Sequence, residues 1–327
     1  MNNDIIDNLN KLSINKEKDK RLDIEKINKN VIKKPFLKWV GGKSQILLDV
    51  LKYFPENINN YHEPFLGGGS ILLAVLSLQK ENLIKIKEKI YAYDINKNLI
   101  DLFNNVKNNP NELLNKINNY KEKYNSINDT LVIRKPNNIE ESLTSKESYY
   151  YWLRKKFNDM DKNKESLEAS ALFLFLNKTC FRGIYREGPN GFNVPFGNYK
   201  NLNIIDENNL IKISELIKEV IFECKDYSEI FKNVMKDDFI YFDPPYVKIN
   251  NKSFVNYTHN GFSKENHDNL FSKIKNLNDN VKFLLSNSKV DYVLEVFKEY
   301  KYESIEAKRL INSKNPKSKT IEVLIYN

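Results

Sequence analysis

Asp238-Phe239-Ile240-Tyr241-Phe242-Asp243-Pro244-Pro245-Tyr246 decides how the chain is read. After Asp238 the run is apolar and aromatic as far as Phe242, the pattern of a strand buried on both faces of a parallel sheet. Two consecutive prolines cannot continue a central strand, so the strand stops there. Asp243-Pro244-Pro245-Tyr246 therefore stands at a strand's carboxyl end, where open α/β sheets bind their ligands. The four residues offer one carboxylate, carbonyls without competing N–H groups, and an aromatic face. That set suits a planar base bearing an exocyclic amine. Asp243 accepts one N–H, the Pro244 carbonyl accepts the other, Pro245 stiffens the turn and Tyr246 stacks on the ring. An Asp-Pro turn that merely closes a strand has the same sequence, so the rest of the chain must decide.

A chain of 327 residues holds one large α/β domain with an insertion, or two domains. Its 41% hydrophobic and 12% aromatic content supports a sizeable core, and a net charge of +9 favours a polyanionic partner. Two cysteines (Cys180 and Cys224), three histidines and no CxxC, HxxxH or His-x-Glu pattern argue against a metal site and against a zinc deaminase. Both cysteines read as packed thiols of an intracellular protein. No secretory signal or membrane-length apolar run is present, so a monomer away from the membrane is expected.

Residues 1–34 contain no Gly, Pro or aromatic residue and read as a solvated polar tail, with order beginning near Pro35. Two strand-turn-helix patterns come next. One passes through Tyr61–Phe65 into Gly67-Gly68-Gly69-Ser70 and an apolar run to Leu78; the other passes through Ile90–Tyr93 to Asp94 and a helix from Asn98 to Lys107. The spacing then predicts helices over 111–124, 145–158 and 167–177 and a Gly/Pro-rich loop. Strands are expected at 220–224, 238–242, 281–286 and 320–326. The expected architecture is a doubly wound, mostly parallel α/β sheet. Its catalytic domain spans 35–104 and 206–327, with a helical, basic target-recognition module inserted at 105–205. Residues 126–148 read as the least structured interior stretch.

The glycines test the cofactor. A dinucleotide fingerprint needs Gly at 67, 69 and 72, and position 72 is Leu; a phosphate loop ending in Gly41-Gly42-Lys43-Ser44 needs Gly at 37, which is Leu. Neither pyrophosphate pattern is met. What remains is a strand, a glycine turn, a helix and an acid closing the next strand, where Asp94 can accept both ribose hydroxyls of a nucleoside cofactor.

Pro35-Phe36-Leu37-Lys38-Trp39-Val40-Gly41-Gly42-Lys43, Glu63-Pro64-Phe65-Leu66-Gly67-Gly68-Gly69-Ser70, Asp94-Ile95-Asn96, Phe192–Lys200, Asp243–Tyr246 and Ser286-Asn287-Ser288 together resemble the Dam-type DNA adenine-N6 methyltransferases, in that family's motif order over residues 35–327. The resemblance implies the class I methyltransferase fold, S-adenosyl-L-methionine as methyl donor and double-stranded DNA as substrate, and leaves open a cognate restriction endonuclease as a further partner or a role in regulating the genome. It puts Trp39, Lys43, Asp94 and Asp243 on cofactor positions, with Phe65 and Gly67 lining that pocket and Asp226 near the cofactor adenine. It also implies DNA contacts by Lys38, Ile184, Arg186, Pro195 and Tyr199, and a wedge of Phe181 and Arg182 entering the duplex. The loop 247–262, with Phe254, Tyr257 and Phe262, would close over the flipped base. By its composition, Lys308–Lys319, with five Lys/Arg and no acid, reads either as a grip on phosphate or as a solvated loop before the last strand.

Familiar members carry Asn-Gly-Leu before the recognition arginine. Here the stretch is Phe181-Arg182-Gly183-Ile184-Tyr185-Arg186, which looks more like the branch that reads CATG than the GATC readers. Glutamine methyltransferases usually carry Asn, and cytosine-N4 enzymes Ser, where Asp243 stands. An inactive DNA-binding protein would have no need for Asp243, Trp39, Lys43 and Asp94 together.

Overall fold

The computed structural model describes residues 20–161, 166–200, 202–248, 261–308 and 319–327. Its centre is a seven-stranded sheet. In chain order its strands are β2 (Tyr61–Glu63), β4 (Ile90–Asp94), β7 (Val220–Cys224), β8 (Phe239–Phe242), β9 (Lys282–Ser288), β10 (Lys301–Lys308) and β11 (Lys319–Tyr326). Two small two-stranded sheets pair β1 (Asn57–Ile58) with β3 (Lys85–Ile86), and β5 (Glu187–Gly188) with β6 (Gly191–Phe192). The large sheet runs β10-β11-β9-β8-β2-β4-β7, parallel from β9 to β7, with β11 and β10 antiparallel. The chain builds outward from β2 to β7 on one side and from β8 through β9 to the edge strand β10 on the other, with β11 then inserted between β9 and β10. The order therefore reverses between β2 and β8, the switch point where such sheets open a crevice.

Alternation along the strands divides the core in two. Phe239, Tyr241, Leu284 and Leu324 face one buried cluster, whereas Ile240, Phe242, Phe283, Leu285, Val323 and Ile325 face the other. The first cluster takes in the Ser70–Lys80 helix, whose residues Ile71 to Leu78 are all buried, and also the helices between β4 and β7. Phe103, Phe173, Tyr185 and Leu210 belong to this one cluster, so residues 105–205 have no core separate from the sheet's. The second lies under the Lys264–Lys275 helix, which Ser263 and Asn266 start with a capping box.

The expected helices appear as Lys97–Asn108, Pro110–Ser126, Lys146–Asn158 and Leu167–Thr179, three of them opened by the side chains of Asn96, Ser145 and Ser166. Two readings change. Residues 20–34 are not a solvated tail. Leu22 and Ile27 are buried, the Leu22 N–H donates to the Phe54 carbonyl at 2.9 Å, and Arg21 lies 4.4 Å from the centre of the Tyr326 ring. A few apolar residues among many polar ones suffice to join this segment to the main core cluster, although the composition hides them; residues 1–19 lie outside the described residues. Residues 127–138 carry no helix or strand, in line with the expectation for 126–148, although a helical turn at Ile139–Ser142 and bonds from Thr130 and Thr144 tie the stretch down. Of the two thiols only Cys180 is packed, Cys224 being exposed.

Asp238 holds the two halves of the sheet together. It lies at the start of β8 with no exposure, and accepts from Asn59 Nδ2 (2.9 Å), Asn60 N (3.0 Å), Asn60 Nδ2 (2.8 Å), His62 Nε2 (3.0 Å) and Met235 N (2.8 Å). Burial pushes its carboxyl upward, but these bonds outweigh it and hold the group below its usual value. A carboxyl depressed on folding adds stability above its unfolded value of about 4, and that stability is lost as pH falls through the folded value. Asp238→Ala should cost about 3 kcal/mol or more, because it strands several buried donors at once. Urea unfolding at pH 7 measures this, and a loss under ~1 kcal/mol would contradict the reading. The gap between wild type and variant should narrow below about pH 4.

Candidate active site

At the switch point the carboxyl ends of β2 and β8 lie side by side, so Glu63 and Asp243 share one crevice. Two hundred residues earlier in the chain, Lys43 reaches into it and is almost fully buried. Its ammonium lies 2.5 Å from Asp243 Oδ2, donates to the Gly41 carbonyl at 2.7 Å, and sits 5.0 Å from the centre of the Tyr246 ring. Burial pushes the Asp243 carboxyl up to about 6, against the pull of Lys43. Its other oxygen, Oδ1, is buried and has no hydrogen-bond partner. An orphan acceptor of that kind is costly unless a ligand satisfies it. Glu63, deeper in the crevice, takes the Tyr61 hydroxyl at 2.7 Å; burial pushes it up to about 8, so it is largely neutral at pH 7. Asp243 is thus the carboxylate that the crevice offers to a donor.

The turn after Asp243 is tethered on three sides. The Tyr246 hydroxyl donates to Glu322 Oε2 at 2.8 Å, the Val247 N–H donates to Asn287 Oδ1 at 3.0 Å, and His267 Nε2 meets the Pro245 carbonyl at 2.9 Å. The proline rings fix φ at 244 and 245, and the tethers hold Tyr246 and Val247 beyond them. The sequence does not single out Glu322 or His267. His267 is one of only three histidines, and its place four residues into a capped helix is the available signal.

Beyond the β2 end the chain turns through Gly67, whose φ of +50° suits glycine, and a Cβ there would lie 2.9 Å from Trp39 Cδ1. The Gly67 N–H donates to Asp94 Oδ2 at 3.0 Å and the Asn96 N–H to Oδ1 at 2.9 Å. Each oxygen keeps a second lone pair, enough for two hydroxyls of a sugar. Burial raises the Asp94 carboxyl while those N–H groups lower it. Lys43 N–H donates to Ser70 Oγ at 3.1 Å, so the same turn joins Lys43 to Asp94. Phe65 stacks on Tyr227 at 5.6 Å. Asp226, next in the chain to Tyr227, is exposed and caps the turn there, taking the Ser228 N–H.

Trp39 stacks on Tyr185 at 5.8 Å and 20°, and so joins the glycine turn to the inserted helical region. Next to it, Lys38 is held by Asn177 through both backbone groups and lays its ammonium 4.1 Å from the centre of the Tyr199 ring. The Tyr199 hydroxyl takes the Arg182 N–H at 2.7 Å and gives to the Cys180 carbonyl at 3.1 Å. Arg182 has φ +56° and Phe181 is 45% exposed, an aromatic standing out from a tight turn. Lys38, Phe181, Arg182 and Tyr199 therefore form one group. Arg186 and Pro195 are exposed on the following loop, and Ile184 is half-buried between. Phe262 packs edge-on against Phe65. Phe254, Tyr257 and most of the basic Lys308–Lys319 stretch lie outside the described residues. Among the described residues no His, Cys, Asp and Glu cluster could hold a metal ion, and no helix is long and apolar enough to cross a membrane.

The D12 class N6 adenine-specific DNA methyltransferase model matches residues 39–311. Type II methyltransferase M.MjaIII of Methanocaldococcus jannaschii is 35% identical over 90% of this chain and 99% of its own length. Type II methyltransferase M1.LlaDCHI of Lactococcus lactis subsp. cremoris is 32% identical, over 92% and 98%. The DNA adenine methylase of Haemophilus influenzae is 31% identical, over 88% and 90%. The match runs through both halves of the crevice and the helices between them, and the chain belongs to the D12 class N6 adenine-specific DNA methyltransferases.

Proposed function

We propose that the enzyme methylates N6 of an adenine flipped out of a short palindromic duplex site centred on A-T, reading CATG in preference to GATC, with S-adenosyl-L-methionine as donor. The observation that carries the reading is Asp243 Oδ1, a buried acceptor without a partner at a proline-rigid strand end. The adenine amine is a poor nucleophile because its lone pair is delocalised into the ring, and within B-DNA it is paired and out of reach. Extruding the base costs a few kcal/mol. Phe181, which is exposed, and Arg182 are suited to fill the gap left in the stack. Asp243 and the Pro244 carbonyl accept hydrogen bonds from the two amine N–H groups and draw the nitrogen toward tetrahedral geometry, with Tyr246 against the base; one of those protons leaves the nitrogen as the N–C bond forms and the S–C bond breaks.

The donor supplies an electrophilic methyl on a sulfonium. Asp94, with one lone pair left on each oxygen, fits its ribose, and the Gly67 turn closes against that carboxylate. Lys43 keeps Asp243 ionised and aimed. Transfer is direct, and catalysis is orientation plus stabilisation of developing positive charge by Asp243. Arg186, exposed on its loop, offers bidentate donors to guanine, a contact worth ~1–3 kcal/mol of discrimination. Arg182, in place of an asparagine, supports the CATG preference. Two relatives bear Type II names, which supports a cognate endonuclease as partner.

Three outcomes are expected. Because transfer needs an ionised Asp243, kcat/KM should fall as pH drops through about 6. Lys43→Met removes the charge that holds this carboxyl down, so the acid limb should move to higher pH. A limb that stays put in the variant would remove Lys43 from that role. S-adenosylmethionine should raise the melting temperature by linkage, and Asp94→Ala should shrink the shift; equal shifts would rule out Asp94 as a cofactor ligand. Plasmid from an expressing host should resist nucleases blocked by methylation at CATG. Protection at GATC alone would refute the preferred site, and methylated cytosine would refute the reaction.

A further inference from the structure

We infer that Asn158 is a specificity-determining positioning residue: with Tyr150 and Arg154 it fixes which face of residues 192–196 is presented to DNA. The inference rests on the reading of Arg186 and Pro195 as base contacts, and concerns residues that touch no DNA themselves.

Tyr150, Arg154 and Asn158 are spaced by four on the Lys146–Asn158 helix and so share one face. All three bind the backbone of the recognition stretch. The Tyr150 hydroxyl and Arg154 Nη1 donate to the Val194 carbonyl, at 2.7 and 3.0 Å. Asn158 makes a reciprocal pair with Phe192, giving Nδ2–H to its carbonyl at 3.0 Å and taking its N–H on Oδ1 at 2.9 Å. The geometry is a register match. Four helix residues rise about 6 Å, and two extended residues rise about 6.6 Å. Arg154 and Asn158 can therefore grip 194 and 192 together, with helix and strand running in opposite directions.

The consequence appears in the burial. Phe192 and Val194 are buried, whereas Asn193 between them and Pro195 after them are exposed. A slip of one residue would reverse every side chain, burying Asn193 and exposing Phe192. Phe192 packs edge-on against Phe157, next to the amide clamp. The outward Asn193 in turn holds Arg186: Arg186 Nε donates to Asn193 Oδ1 at 2.6 Å, Nη2 to the Asn193 carbonyl at 3.4 Å, and the Asn193 N–H to the Arg186 carbonyl at 3.1 Å. The aim of the guanidinium is thus set through Asn193 by the facing that Asn158 imposes. Asn158 is the member that binds both backbone groups of one residue, a pair that a one-residue slip would turn away from the helix.

The test compares kcat/KM on duplexes carrying the cognate site with duplexes changed at one base, for wild type, Asn158→Leu, Asn158→Asp and Arg186→Ala. S-adenosylmethionine-induced melting shifts report that each variant is folded. Asn158→Leu removes both bonds at similar volume and should lower discrimination by roughly tenfold or more, approaching Arg186→Ala. Asn158→Asp keeps the acceptor for the Phe192 N–H and loses the donor, so it should fall between; it also serves if the leucine variant fails to fold. If Arg186→Ala relaxes specificity while both Asn158 variants discriminate like wild type, the inference is overturned and the base-reading loop stands. If no variant, Arg186→Ala included, changes discrimination, the reading of the loop falls and the inference with it.

Discussion

The two halves of the central sheet meet only at β2 and β8, and there the parallel ladder is two residue pairs long, Tyr61 with Phe239 and His62 with Ile240. So short a ladder cannot by itself set the spacing of the crevice above it. Asp238 supplies the constraint from below, gathering donors from the β2 side, from Met235 and from His62 onto one buried carboxylate. Five residues on, at the opposite end of the same strand, stands Asp243. Burial defines both acids, with opposite results. Asp238 is satisfied several times over and held ionised. Asp243 has one oxygen paired to Lys43 and the other left waiting for a donor. The first is structure and the second is chemistry.

Charge in the crevice depends on the same burial. Glu63 close to an ionised Asp243 would be mutually repulsive, and the crevice avoids this by keeping Glu63 largely neutral at pH 7. Lys43 then pairs with Asp243, while Tyr246 is turned by Glu322. On the proposed reading, a flipped base would meet one acceptor of defined charge, held by a turn whose proline rings and three tethers leave little freedom. Preorganisation of that kind spares reorganisation at the moment of transfer.

Much of this could be read from the chain. The two prolines after Phe242 placed Asp243 at a strand end, and β-rich runs such as Val220–Cys224 appeared where alternation put them. Periodicity reports which residues are buried, not which distant residues meet. Lys43 with Asp243 and Gly67 with Asp94 came instead from the family's motif order, and the structure brings each pair together. His267 and Glu322 were invisible because each acts on a single backbone or hydroxyl group across the fold. Asn158 looked like the end of a helix, and its amide pairing with Phe192 depends on the crossing of two elements. Leu22 and Ile27 were lost in a polar composition. β10 went unassigned because its alternating Lys, Glu and Ser residues suit an exposed edge as well as they suit a loop.

The central claim is that the orphan oxygen of Asp243 receives the amine of the target base. Single-turnover transfer of tritiated methyl from S-adenosylmethionine to a duplex holding the site tests it most directly, comparing wild type with Asp243→Ala and confirming the fold of each by melting. The account predicts label on N6 of adenine for wild type and a rate lower by at least about a hundredfold in a variant that melting shows to be folded. A folded Asp243→Ala enzyme that transfers methyl within a few-fold of wild type would contradict it.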